Sequence, residues 1–157
     1  MARARVLLTA LGVLMVAVLS GCGGGSGDSG ATSITKAQLI SRGDEICTKA
    51  DNTEFKESVA YEQKHQKELS SLSTRMRLAR LLVIVGLPSI LKEGEELEAL
   101  GMPARDEKRL EAIYTALRKA VSESTKAPLT IEGPNGPFAE VDHLAHAYGF
   151  KSCDEPA

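Results

Sequence analysis

The thiol of Cys22 stands out because of the residues before it: Leu19-Ser20-Gly21-Cys22 closes an apolar run and opens a glycine-rich stretch. A thiol behind two slender residues is a nucleophile whose backbone can enter an enzyme's cleft, while the apolar Leu19 stays in a bilayer. That suits transfer of a diacylglyceryl group to sulfur, followed by cleavage before the cysteine. Two more thiols, Cys47 and Cys153, could join as a disulfide. His143-x-x-His146, with Glu140 and Asp142 beside it, is the one cluster with metal-ligand chemistry, since helical positions three apart share a face. A third ligand would have to come from elsewhere, His65 being a candidate. The acidic pairs Asp44-Glu45, Glu95-Glu96 and Asp106-Glu107 could in principle exchange protons.

The segment before Cys22 decides how its thiol is read. Arg3 and Arg5 make a short positive start, and Val6 to Leu19 is apolar. Fourteen helical residues rise only ~21 Å, short of the ~30 Å hydrocarbon core of a bilayer. A cleaved signal segment fits better than a membrane span. Leu19-Ser20-Gly21-Cys22 then has the form of a bacterial lipobox, with residues 1–21 removed and Cys22 becoming the acylated first residue. Two acyl chains on that residue make a stable anchor. Gly23 to Ser33 is a Gly/Ser coil with a root-mean-square reach of ~20 Å. Residues 22–34 thus read as lipidated cysteine plus tether, and 35–157 as the folded domain.

Removing residues 1–21 takes Arg3 and Arg5 from the 19 basic residues, leaving 17 against 21 acidic ones, a formal charge of −4. Such a balance argues against nucleic acid and against adsorption to anionic lipid through a basic patch. About 120 residues suffice for one modest core. With no Trp and three each of Tyr and Phe, that core is expected to be Leu, Ile, Val and Ala, which favours helices. Once Cys22 is acylated, Cys47 and Cys153 are left, either paired in an oxidising compartment or as two separate buried thiols. If paired, they close a loop of just over a hundred residues, to which the chain-entropy model assigns ~4.7 kcal/mol.

The elements that must position these groups follow from periodicity. Thr35-Lys36-Ala37-Gln38 is a capping box, and Leu39, Gly43, Ile46, Cys47 and Ala50 follow at helical spacing. Phe55 and Val59 continue the stripe less regularly, and Asn52 to Ser70 reads as a solvated continuation. Leu72 to Leu100 is a second helical region whose centre, Leu81 to Leu91, reads as a buried core helix, with Pro88 and Gly86 kinking it or starting a new turn. Gly101-Met102-Pro103 ends it. Leu110, Ile113, Tyr114, Leu117, Ala120 and Val121 form one stripe within Asp106 to Ser124. Ala127 to Pro137 is a loop. Phe138 to Tyr148 is a last helix with Val141, Leu144 and Ala145 inward, and Gly149 at C′. The fold class expected is all-α, an antiparallel bundle of about four helices.

Set on those elements, the candidate sites thin out. The inward positions of the last helix are taken by Val141, Leu144 and Ala145, which turns His143 and His146 towards water. Asp106 and Glu107 sit in a first helical turn, where they complement the helix dipole, and the other acids read as solvated faces. The alternating charges of Glu62, Lys64, Lys67 and Glu68 are of the coiled-coil kind, and an intramolecular bundle accounts for them without a partner. Neither a Gly-x-Ser-x-Gly elbow nor a phosphate-cradling glycine loop occurs.

The chain resembles a class of small helical lipoproteins of actinobacteria and related high-GC bacteria. The likeness rests on the lipobox and glycine spacer, on ISRGDEICTKAD at 40–51, on LEALGMPARDEKRLEAIYTAL at 97–117 and on AYGFKSC at 147–153. It implies an exported helical domain whose first-helix and near-terminal cysteines pair. It implies no activity. The pattern usually ends at or near that last cysteine, whereas here it runs on to Asp154-Glu155-Pro156-Ala157. The expectation is therefore a monomeric, non-enzymatic binding or structural module of the cell envelope. It would be held through Cys22 on the extracytoplasmic face of the membrane, use no cofactor, and could meet an envelope protein partner. The alternative is metal or small-ligand binding through His143 and His146.

Overall fold

The computed structural model describes residues 34–130 and 135–153. The signal segment 1–21, the motif ending at Cys22, the spacer 23–33 and the chain end 154–157 lie outside them. The regular elements among the described residues are all helical, in the order α1 (Lys36–Lys64), α2 (Gln66–Leu69), α3 (Thr74–Leu81), a π-helical turn (Leu82–Gly86), α4 (Leu87–Ala99), α5 (Glu107–Lys126), a 3-10 turn (Pro128–Thr130) and α6 (Ala139–Tyr148). No strand occurs among them.

α1 starts where its capping box requires. The Gln38 N–H donates to Thr35 Oγ1 at 3.3 Å and the Thr35 N–H donates to Gln38 Oε1 at 3.0 Å, satisfying two otherwise orphaned donors. Leu39, Gly43 and Cys47 are its buried residues, so its inward stripe ends early; Phe55 is 70% exposed. The distal half is a solvated helix tied down by charge. Glu62 pairs with Arg77 at 3.7 Å and Glu68 of α2 with Arg80 at 2.7 Å, while Arg80 Nε donates to the Tyr61 hydroxyl at 3.1 Å. The acidic members of the 62–68 run, Glu62 and Glu68, are thus used within the bundle. α3 buries no residue at all and is held mainly by these polar contacts and by Arg75, which donates to the Leu129 carbonyl at 2.7 Å.

The segment from Leu81 to Leu91 departs from the fully buried helix expected. Val85, Gly86 and Leu87 are buried, but Ile84 is 42% and Leu91 40% exposed. One face of a helix meets α1 and α5 here, and an apolar run longer than that face must show its remainder. Pro88 does not break the helix either. Lacking an N–H, it cannot bond the carbonyl four residues back. The chain widens into the π turn just before it, where the Leu87 N–H donates to the Leu82 carbonyl, five residues back. Such single wide turns are how helices absorb a misfit without stopping.

α5 supplies the centre of the core. Leu110, Ile113, Tyr114, Ala116, Ala120, Val121 and Ser124 are buried along it. The main cluster joins Leu39, Cys47, Leu97, Leu110, Ile113, Tyr114, Ala145, Tyr148 and Phe150, and a smaller one joins Ala116, Ala120 and Val141. α6 ends at Gly149, whose φ of 116° suits a residue without a side chain. The Gly149 N–H donates to the His146 carbonyl at 3.0 Å and the Phe150 N–H to the Ala145 carbonyl at 3.1 Å, a Schellman closure. That reversal drives Phe150 back into the core.

Candidate functional site

The reversal at Gly149 also delivers Cys153 to α1. Cys47 and Cys153 form a disulfide with Cα atoms 5.3 Å apart, across a sequence separation of 106. Cys47 is 1% exposed and Cys153 half-buried. The tail between Gly149 and Cys153 is fixed independently of the sulfurs. Asp44 Oδ1 accepts from the Lys151 N–H at 2.8 Å and the Ser152 N–H at 3.0 Å. Phe150 fills the gap over Gly43, where a Cβ would come within 2.4 Å of Phe150 Cε1. Asp44 was expected on a solvated face; it is the clamp for the chain end.

α4 brings a carboxyl group to the same place. The carboxylate of Glu93 and the sulfurs of Cys47 and Cys153 all lie within 4.8 Å of one another. Burial pushes the Glu93 carboxyl up to about 7, with Asp51, Glu54 and Glu96 adding repulsion. Glu54, on α1, is raised as well, first by burial and then by Asp51 and Glu57. Glu93 lines a cleft of about 160 Å³ between α1 and α4, with Lys49, Thr53, Glu57, Lys92 and Glu96 among its walls. Lys92 reaches Glu96 at 4.0 Å. The arrangement offers two sulfurs, a carboxyl group with depressed acidity and an approach from solvent lined by both carboxylates and lysines.

No protein-family model, curated protein or solved structure matches this chain. Function has to be read from its own residues.

The histidine pair is placed as its register requires. Val141 and Ala145 are buried, and His143 and His146 are exposed. Glu140 reaches Lys119 at 3.8 Å. His65 stacks on Tyr61 with ring centroids 4.3 Å apart and lies 3.6 Å from Glu68. Among the described residues, the one group of three metal-capable side chains is Cys47, Glu93 and Cys153, and it includes no histidine. Two further acids have structural work. Asp106 accepts from the Tyr148 hydroxyl at 3.2 Å, and Glu98 pairs with Arg118. Burial, then Asp106, raises the Tyr148 hydroxyl, and Lys36 lies 4.3 Å above the Tyr148 ring.

Glu93 escaped the sequence reading, although a signal for it existed. Ile90, Gly94 and Leu97 mark the inward register of α4, and Glu93 falls three residues after the first and four before the last. An acid on an inward register is the kind of local conflict that a charge-pair search overlooks, because Glu95-Glu96 beside it is the more conspicuous pair.

Proposed function

We propose that this chain is a membrane-anchored lipoprotein, cleaved after Gly21 and acylated on Cys22. Its helical domain then serves as a non-enzymatic binding or structural module on the extracytoplasmic face of the cell envelope. The observation that carries the reading is the sequence Leu19-Ser20-Gly21-Cys22 at the end of a positively started apolar run too short to span a bilayer. Two features support it. The remaining cysteines are joined, as an oxidising compartment favours. No helix among the described residues is long and apolar enough to cross a membrane, and the proposed lipid on Cys22 would supply the attachment. Metal binding through His143 and His146 has less behind it, because neither falls in a group of three metal-capable side chains among the described residues.

Metabolic labelling with a palmitate analogue tests the anchor. Wild type should be labelled and membrane-bound, while Cys22→Ala should be neither. Equal labelling of the two would end the reading. Crosslinking in cells then identifies what the anchored domain touches.

A further inference from the structure

We propose that the dithiol form of this protein is a metal site, in which Cys47 Sγ, Cys153 Sγ and the Glu93 carboxylate hold one thiophilic divalent cation of the zinc type. The proposal does not depend on the lipid anchor. It rests on how the three donors are held and on what remains when the disulfide opens.

The donors come from three separate parts of the chain: Cys47 from the middle of α1, Glu93 from α4 and Cys153 from the tail after α6. They nonetheless converge within 4.8 Å. Zinc–sulfur bonds of about 2.3 Å and zinc–oxygen bonds of about 2.1 Å place tetrahedral donors on the order of 3.5–3.8 Å apart. The sulfur–carboxylate edges, all within 4.8 Å, leave room for that spacing, while the sulfur–sulfur edge is a covalent bond that must lengthen to it. The sulfurs need only separate from bonding distance, with a Cα spacing of 5.3 Å leaving side-chain rotation to do it. Water completes a fourth position. Two thiolates select zinc-like ions over magnesium and calcium.

Opening the disulfide requires two electrons and two protons, which a small dithiol supplies while itself becoming a disulfide. Its thiolate meets the half-buried Cys153 sulfur more readily than Cys47, which is 1% exposed. The sulfur–sulfur bond breaks, Cys47 leaves as a thiolate, and the reductant's second thiol then releases Cys153. The cation displaces the thiol protons to solvent as it binds.

The site survives reduction because the tail is not held by sulfur alone. Phe150 stays packed over Gly43, and Asp44 keeps both backbone N–H groups of Lys151 and Ser152. Cys153 is therefore left beside Cys47 and not released. The cleft between α1 and α4 has Glu93 on its wall, so solvent and a cation can reach the carboxylate donor from that side. Passing the two electrons back to the disulfide form of that small dithiol would rejoin Cys47 and Cys153 and eject the ion, because a disulfide sulfur is no longer a thiolate.

The test uses the full chain, reduced with a phosphine so that no external thiol competes, and titrated with Co(II) as an optical stand-in for zinc. The expected result is one equivalent bound, with an intense near-ultraviolet thiolate-to-cobalt band that zinc displaces and re-oxidation abolishes. Glu93→Gln should weaken binding by about tenfold or more, given that even outer-shell partners cost 10–100-fold. Cys153→Ser should lose most of the band while circular dichroism shows the helices intact. Four results would each overturn the proposal: no band from a reduced chain that remains helical, loss of the helices on reduction, equal binding by the oxidised chain, or Glu93→Gln binding as tightly as wild type.

Discussion

Phe150 occupies the space that a side chain on Gly43 would need. A Cβ there would lie 2.4 Å from Phe150 Cε1 and 3.1 Å from Leu97 Cδ2. Gly43→Ala should therefore displace the ring and loosen the tail that carries Cys153. Overpacking of a filled core costs about 1–3 kcal/mol. Urea unfolding should show that loss for Gly43→Ala, and wild-type stability in the variant would mean that Phe150 has room to move.

Glu93 should make the disulfide form less stable as pH rises. Its carboxyl titrates near 7 in the fold against 4.5 ordinarily. Between those values the unfolded chain has lost a proton that the native chain keeps, so stability is full below pH 4.5 and declines up to about 7. Asp51, Glu54 and Glu96 face the same carboxyl, and Glu54 shifts in the same direction, so part of the slope belongs to it. Glu93→Gln should be about 1–2 kcal/mol more stable than wild type at pH 8, after allowance for partial solvent screening. At pH 4 the difference should vanish. Denaturant midpoints at the two pH values check the sign.

Tyr114 and Tyr148 should respond oppositely to loss of their hydroxyls. Tyr114 Oη is buried with no hydrogen-bond partner, and burial pushes it up to about 12. Tyr148 donates to Asp106 Oδ2 at 3.2 Å. Tyr114→Phe removes an unsatisfied group and should be neutral or stabilising by up to about 1 kcal/mol, whereas Tyr148→Phe should lose about 1 kcal/mol. Thermal melts of the two variants decide it, and equal losses would show that the Tyr114 hydroxyl finds a partner in solution.

Reduction of Cys47–Cys153 should cost about 2–4 kcal/mol, less than the chain-entropy figure of ~4.7 for a loop this long. The unfolded chain gains freedom on reduction, while Asp44 and Phe150 keep the native tail in place. Far-ultraviolet circular dichroism should be unchanged at 25 °C with the denaturant midpoint lowered. Combining reduction with Asp44→Ala should then remove more than the two losses added, because both act on one segment.

The helical stripes were legible in the sequence because each repeats a strong pattern. The capping box at Thr35, the stripe from Leu110 to Val121 and Gly149 at the end of α6 all sit where periodicity and capping chemistry place them. The π turn was not legible. Pro88 announces a misfit, but whether a helix breaks, kinks or widens depends on what packs against Val85 and Leu87. Leu81 to Leu91 was over-read for a related reason: apolar composition measures how much surface could be buried, and the neighbouring helices decide how much is. Asp44 and Glu93 were missed because their partners are remote in sequence. The tail N–H groups lie 107 and 108 residues from Asp44, and no local spacing carries that information.

The bond between Cys47 and Cys153 also sets how the domain bears load. A pull applied between residue 34 and the far end enters α1 and crosses directly from one sulfur to the other, bypassing all of the sequence between two cysteines that are 106 positions apart. Only the first turns of α1 can then be drawn out, about 45 Å at full extension for some thirteen residues. With the sulfurs separated the same pull could unravel the whole described chain, on the order of 400 Å. The crosslink makes the helical domain a short, nearly inextensible fitting, in which α5 and α6 are carried inside a closed ring that tension does not enter.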